Sequence, residues 1–147
     1  MIGVEHDAAK ATLVNPRTLG RSLLALLAGI LAVVVLSIGT DLFFRAIGVF
    51  PPADQPILDS SLLFLAFCYR TVYGALGGYI VSRLAPYAPM GHALASGVAG
   101  FVASLAGAIA GRSAGPSWYP IALVLTALPC AWLGGAIYRQ RHGKTLE

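Results

Sequence analysis

Arg70 is the residue whose type and position most directly suggest chemistry, because it is a charged side chain inside a long apolar stretch. At about 1.5 Å per helical residue, it lies about 16 Å from Asp59, near the middle of a membrane-spanning helix. A charge there costs about 2.5–3.5 kcal/mol on insertion scales, so it should face protein or water rather than lipid. Helical spacing places it on one stripe with Asp59, Leu63, Ala66, Tyr73, Gly74 and Gly77.

Arg70 has two interpretations. In the functional one it contacts an anion or a substrate in a polar cavity, with Tyr73, Asp59 and Thr126 as further binding residues. In the structural one it is hydrogen-bonded to Tyr73, to helix carbonyls or to an acidic partner. The acidic candidates, Asp41 and Asp59, are both expected near the outer edge of the membrane. A direct ion pair with Asp59 therefore needs tilt, unwinding or a neighbouring subunit.

Pro129 interrupts the last apolar stretch and leaves a carbonyl near Leu125 without its usual donor. Thr126 and Cys130 lie beside this position. One interpretation is a hinge or a pore-lining segment. The other is a structural kink, which membrane helices tolerate when neighbours satisfy the freed backbone groups.

Signatures of catalysis and of metal binding are weak in this sequence. The histidines His6, His92 and His142 are scattered, and the cysteines Cys68 and Cys130 fall in different apolar stretches, unlike the ligands of a metal site. A proton relay would need carboxylates or histidines at depth, and none is expected there. No nucleophile–base pair or phosphate-binding loop can be assembled. Enzymatic activity therefore has weak support, and we predict no cofactor and no metal.

Four apolar stretches must position these residues, and each is long enough to cross a hydrocarbon core of about 30 Å as a helix. With 57% hydrophobic and 11% charged residues and a mean hydropathy of +0.76, the 147-residue chain is predicted to be an all-α membrane protein. The architecture we expect is a four-transmembrane-helix bundle over residues 18–138, between a cytoplasmic tail at 1–17 and a basic cytoplasmic tail at 139–147. The predicted spans are 18–40, 60–81, 90–110 and 118–138.

The distribution of basic residues predicts the orientation of the chain. Two of them, Arg45 and Arg112, lie in the first and third connections, against seven in the tails and the middle connection: Lys10, Arg17, Arg21, Arg83, Arg139, Arg141 and Lys144. By the positive-inside rule both termini are cytoplasmic. The net charge of +4 is thereby interpreted as topology and lipid-headgroup contact, and no nucleic-acid binding is expected.

Small residues in the second and third spans predict close helix packing. The third span has two small faces, Ser96-Gly100-Ser104-Ala108 and Ala95-Ala99-Ala103-Gly107-Gly111. Such faces allow close approach on two sides, so this span is expected to be either the most buried helix or the seam of a homo-oligomer. The predicted helix-packing residues are Gly74, Gly78, Gly97, Gly100, Ser104 and Gly107.

A short internal match suggests duplication. Leu76-Gly77-Gly78 near the end of the second span matches Leu133-Gly134-Gly135 near the end of the fourth. The corresponding architecture is two parallel helical-hairpin repeats related by an axis along the membrane normal. The alternative is chance, because apolar spans rich in glycine and alanine produce such matches.

Several segments resemble those of a group of small bacterial four-span proteins that have no assigned activity. The segments are Gly39-Thr40-Asp41, Tyr69–Gly74 with Gly77-Gly78-Tyr79, Arg83–Pro86, Gly115-Pro116 with Trp118–Pro120, and Ala127–Gly135. The resemblance covers about residues 23–135 and excludes both tails. It implies a bacterial inner-membrane location and a single domain, and it transfers no site residues.

Two function classes follow as expectations. The first is a transport or channel-like protein that acts as an oligomer around Arg70, because four helices alone rarely enclose a pathway. The second is a non-catalytic structural or accessory protein that binds a protein partner or lipid through its small-residue helix faces. The expected partners are the lipid bilayer, further copies of the chain, and an anionic ligand or lipid headgroup. A water-filled cavity that reaches Arg70 favours the first class, and a dry, fully packed core favours the second.

Overall fold

The computed structural model describes residues 16–111 and 115–142, and they form four α-helices. The bounds are Pro16–Ala46 for α1, Ser60–Leu84 for α2, Pro89–Ala110 for α3 and Trp118–His142 for α4. All four helices are long and apolar enough to cross a membrane. The prediction of an all-α, multi-pass membrane protein with a four-helix bundle is thus confirmed. Most of the two predicted tails lies outside the described residues.

α1 is longer than the apolar stretch predicted for it. It continues past Thr40 to Ala46 and ends where Gly48 adopts a φ of 77°, a left-handed conformation that glycine adopts without steric cost. α2 begins after Asp59, whose carboxylate accepts hydrogen bonds from the backbone N–H groups of Ser61 and Leu62 at 2.7 and 3.4 Å. These bonds satisfy donors that have no partner within the first turn of a helix.

The outside of the bundle is apolar. Leu24, Leu31, Val72 and Leu125 are each more than half exposed. In water this surface would be unfavourable, whereas hydrocarbon is its natural solvent. The small set of fully buried side chains, which includes Val81 and Ser82, lies where the helices approach one another.

α2 is the central helix, because it packs against each of the other three. α4 packs against α2 and α3, whereas α1 packs mainly against α2. The α2–α4 contact is close: a methyl group built on Gly78 would lie 2.5 Å from the carbonyl oxygen of Ala131. Gly134 is closer still to α2, since a methyl group built on it would overlap the carbonyl oxygen of Ala75 and lie 2.6 Å from the Tyr79 nitrogen. Glycine is therefore required on both helices.

The expectation that the third span is the most buried helix is wrong for the single chain. The most apolar part of α3 has 11% of its residues buried, against 22% in α2 and in α4. Small side chains cover little surface, so a helix rich in them is buried only where a neighbour comes very close. The alternative, that this helix forms the seam of an oligomer, stays a prediction.

α3 and α4 separate along their length. We call the end of the bundle that carries residues 47–59 and 115–117 the distal end, and the end that carries residues 85–88 the proximal end. Near the proximal end, a methyl group built on Gly97 would lie 2.8 Å from the Cβ of Ala131. One turn further, at Gly100, the distance to the Cβ of Ala127 is 4.0 Å, and at Gly107 no atom of a neighbouring element among the described residues lies within 4 Å. The two helices therefore leave a gap between them at the distal end.

Candidate functional site

Arg70 forms an ion pair with Asp41 of α1. Its Nη2 lies 2.6 Å from the Asp41 Oδ2, and the hydroxyl of Tyr69 donates a hydrogen bond to the other oxygen of the same carboxylate. The two charged side chains are half-buried, with 33% and 26% of their surface exposed. Hydrogen bonds between charged groups are stronger than neutral ones, so this cluster fastens α1 to α2.

The ion pair lies far from the ends of α2. Arg70 follows Ser60 by ten residues, which corresponds to about 15 Å of helix, and fourteen further residues follow before α2 ends. Asp41 lies within α1, five residues before its end at Ala46, and opposite Arg70 of α2. Of the partners considered for a structural arginine, the structure selects an acidic one on another helix.

Tyr73 lies in the interface between α1 and α2. Its hydroxyl is hydrogen-bonded to the hydroxyl of Thr40 at 2.8 Å, and its ring lies 5.7 Å from that of Tyr69, centroid to centroid. Phe44 contacts the other side of Tyr69, at a centroid distance of 6.0 Å. The predicted binding residue Tyr73 thus belongs to a series of polar and aromatic contacts between these two helices.

Asp59 and Thr126 lie apart from the ion pair. Asp59 caps α2, and its hydrogen bonds from the backbone N–H groups of Ser61 and Leu62 lower the pKa of its carboxyl group. The hydroxyl of Thr126 donates to the carbonyl oxygen of Ala122 in its own helix at 2.8 Å. α4 runs without interruption through Pro129. The structure does not bring these two predicted binding residues together with Arg70.

A cavity of about 670 Å³ occupies the gap at the distal end, between α2, α3 and α4. This volume is within the range of small-molecule sites. Arg70 lines it together with three other polar residues, Ser104, Ser117 and Tyr119. The remaining lining is apolar or glycine: Ile57, Leu63, Ala103, Gly107, Ala108, Gly111, Gly115, Pro116, Pro120, Ile121 and Leu123. Of the four predicted binding residues, only Arg70 is part of this lining.

The predicted helix-packing residues divide into two groups. Gly78 and Gly97 lie in close contact with α4, and a methyl group built on Gly74 would lie 3.4 Å from the Cβ of Cys130. Ser104 and Gly107 instead line the cavity. A small residue thus permits close approach where a neighbouring helix is present, and it leaves space where the neighbour diverges.

Arg70 is only partly satisfied by protein partners. Its Nε is buried and has no hydrogen-bond partner among the described residues, whereas Nη2 is bonded to Asp41. A buried donor without a partner costs about 1–3 kcal/mol. Because Asp41 balances the charge of Arg70, the site offers a directed hydrogen bond more than an excess of positive charge.

Sequence reasoning named Asp41 as one of two acidic candidates for pairing with Arg70, and it missed Tyr69 and Tyr119 as members of the site. The signal for Asp41 is that an intramembrane arginine requires a partner and that Asp41 directly follows an apolar stretch. For Tyr69 and Tyr119 no sequence signal separates the site from ordinary interfacial aromatic residues. Among the described residues, His, Cys, Asp and Glu side chains do not form any group of three that could hold a metal ion.

Comparisons of the chain with protein-family models, with curated proteins and with solved structures found no match. The functional argument therefore depends on the geometry around Arg70.

Proposed function

We propose that this chain is a small transport protein of the bacterial inner membrane, which binds its solute at Arg70 in the distal cavity and acts as an oligomer. The observation that carries the proposal is the cavity of about 670 Å³ in the membrane-spanning bundle whose lining includes the guanidinium-bearing residue Arg70. A closely packed core with a fully satisfied arginine would have favoured an accessory role instead.

The proposed orientation has the distal end outside and both termini in the cytoplasm. It rests on the basic residues: Arg45 lies near the distal end, whereas Arg17, Arg21, Arg83, Arg139 and Arg141 lie near the proximal end. Basic residues accumulate on the cytoplasmic side of membrane helices. In this orientation the cavity lies in the outer half of the membrane.

Transport further requires a path to the other side. In the proximal half, Gly78 and Gly97 both lie against Ala131 of α4, and these contacts close the bundle below Arg70. In the proposed cycle α4 moves away from α2 and α3 at this level, so that the solute site becomes open to the cytoplasm. A site near the midplane that is reached from alternate sides is the general scheme of secondary transporters. In the proposed oligomer, neighbouring copies complete the walls of the pathway, which four helices alone cannot enclose.

A second candidate function is a non-catalytic accessory protein that binds a protein partner or lipid through its helix faces. The ion pair between Arg70 and Asp41 favours it, because the pair gives the arginine a structural task in joining α1 to α2. In that case the cavity is a consequence of loose packing at the distal end and has no ligand.

Thermal unfolding in lipid nanodiscs against a panel of anions, metabolites and lipids distinguishes the two candidates. A ligand that binds the folded state raises apparent stability by RT ln(1 + [L]/Kd). We expect at least one compound to stabilise the protein, and Gly107→Leu to abolish the effect by filling the cavity.

Gly39→Leu is the matched control, because Gly39 lies in a helix, has no atom within 4 Å of a built methyl group and is not part of the cavity lining. This variant should respond to the ligand as the unmodified protein does. Equal responses of the Gly107→Leu and Gly39→Leu variants, or no response to any compound, would contradict the transport proposal and favour the accessory role.

A further inference from the structure

We infer that the ligand of the distal cavity is a lipophilic molecule with a single hydrogen-bond-accepting oxygen, which enters sideways from the bilayer and places that oxygen at Arg70. The inference rests on the proposed function, because it specifies the class of compound that the same cavity binds. Three features of the cavity support it: the chemistry of its lining, the position of its opening and the charge balance of Arg70.

The lining provides few partners for a hydrophilic solute. Its polar side chains are Arg70, Ser104, Ser117 and Tyr119, and most of the remaining surface is apolar or glycine. A sugar or a small ion would lose water on entering and would regain few hydrogen bonds, at a cost of about 1–3 kcal/mol for each group left without a partner. A molecule with an apolar body and one polar end matches this distribution.

The described parts of the two distal connections lie against each other over the cavity. A methyl group built on Gly115 would lie 3.5 Å from the carbonyl oxygen of Ile57 and 3.9 Å from the side chain of Leu58. Gly115 and Ile57 both line the cavity. These contacts restrict access along the helix axes from the distal end.

The cavity also has exposed lining residues on its sides. α1 contributes none of the lining residues, so the described walls come from three helices and the distal connections. The lining residues Ala103 and Gly107 on α3 and Ile121 on α4 are exposed. They lie within the membrane-spanning parts of their helices, where the surroundings are hydrocarbon. A ligand dissolved in the bilayer can therefore reach the cavity without crossing water.

Because Asp41 balances the charge of Arg70, the ligand needs a hydrogen-bond-accepting oxygen but does not need a full negative charge. Asp41 lies 2.6 Å from Nη2 and offsets the positive charge of Arg70, while the guanidinium of this lining residue has further N–H donors. A carbonyl oxygen and a carboxylate oxygen can both accept from it. Long-chain alkanoic acids and their esters share this chemistry, and the experiment below separates them.

The test uses photolabelling of the full chain in nanodiscs by a dodecanoate that carries a diazirine in its chain. We expect labelling on the peptides that contain residues 103–111 and 117–123. Gly107→Leu should reduce it by about tenfold, the change that corresponds to about 1.4 kcal/mol of binding free energy. Gly39→Leu should leave it unchanged. Decanoate and methyl decanoate should compete with the label, whereas decane, which has no oxygen acceptor, should not.

The double variant Arg70→Met/Asp41→Leu tests the role of the arginine without leaving a charge unpaired. We expect this variant to lose most of the labelling of residues 103–111 and 117–123, because the dodecanoate has no hydrogen-bond donor at residue 70. Labelling that is equal in all variants, or competition by decane as strong as by decanoate, would overturn the inference.

Parallel unfolding measurements separate the inference from the proposed function. If acetate or inorganic phosphate stabilises the protein in a Gly107-dependent manner and decanoate does not, the proposed function stands and the lipophilic ligand is wrong. If neither class stabilises or labels the protein, both fail. Competition by decanoate alone assigns a carboxylate ligand, and competition by both decanoate and its ester assigns a carbonyl-type acceptor.

Discussion

Arg70 of α2 is bonded to Asp41 of α1 through Nη2 and Oδ2 at 2.6 Å, and the same residue lines the distal cavity. One guanidinium therefore serves both the packing of two helices and the surface of a cavity. This double position explains why neither of the two interpretations of Arg70, structural or ligand-binding, describes it completely.

Removal of one member of this ion pair should be more harmful than removal of both. Asp41→Leu leaves the Arg70 guanidinium without its counter-charge. We expect the free energy of unfolding to fall by about 2 kcal/mol. This loss is smaller than for a fully buried pair, because both side chains are half-buried. The double variant Asp41→Leu/Arg70→Met should be more stable than Asp41→Leu alone. Reversible unfolding of the single and double variants in mixed micelles measures this, and additive effects would show that the pair is not energetically coupled.

The two hydroxyl bonds between α1 and α2 should contribute small, similar amounts. Tyr69→Phe removes the donor to Asp41, and Tyr73→Phe removes the partner of Thr40. Interhelical hydrogen bonds in membranes average about 0.6 kcal/mol, so each variant should lose about 0.5–1 kcal/mol, with the larger loss at Tyr69 because its acceptor is charged. The measurement is the free energy of unfolding of both variants. Tyr87→Phe is the control, because the Tyr87 hydroxyl has no hydrogen bond to the residues that the structure describes. A larger loss at Tyr73 would contradict the expected order.

Glycines of similar sequence context should respond differently to substitution. Gly78→Ala places a methyl group 2.5 Å from the Ala131 carbonyl oxygen, so α2 and α4 must move apart. We expect a loss of more than about 2 kcal/mol in the free energy of unfolding. Gly107→Ala meets no atom within 4 Å and should be neutral or slightly stabilising, since alanine favours the helix by about 1 kcal/mol. Thermal unfolding of both variants checks this, and equal losses would mean that α3 and α4 do not diverge.

The cap of α2 should make stability depend on pH in the acid range. The N–H groups of Ser61 and Leu62 lower the pKa of Asp59, so its carboxylate binds protons less readily in the folded state than in the unfolded state. Its contribution is present above the unfolded pKa of about 3.9 and is lost as the pH falls below that value through the folded pKa. Asp59→Asn, which can still cap the helix but does not titrate, should have a shallower decrease in thermal stability between pH 5 and pH 3. Identical acid profiles for the two proteins would refute this role.

The sequence predicted the fold well because the bilayer imposes strong and local constraints. Every span must hold about 20 apolar residues in a helix, and this requirement can be counted along the chain. Hydropathy alone does not mark the end of a helix: Asp41 and Arg45 are charged, so the apolar stretch stops before them, while α1 continues to Ala46. A helix depends on its own hydrogen bonds and on a partner for each charge, which hydropathy does not register.

The site was predicted in part. Arg70 was identified by its cost in hydrocarbon, whereas Asp59, Tyr73 and Thr126 were grouped with it on helical spacing or on a neighbouring proline. The structure gives Asp59 and Tyr73 other partners, and Thr126 bonds within its own helix. Spacing along one helix cannot show which neighbouring helix lies opposite, so the sequence left both Asp41 and Asp59 open as partners of Arg70 and did not locate the cavity.

By itself, the sequence determined that this chain is a four-helix membrane protein with one expensive intramembrane charge, because hydrophobicity and charge are properties of each residue. Only the tertiary structure decided which small residues pack and which line a cavity. Gly97 and Gly107 are the same residue type on one helix, and their roles differ because α4 is close to the first and distant from the second. That difference arises because α3 and α4 diverge, and the relative placement of two helices cannot be read from the sequence of either one.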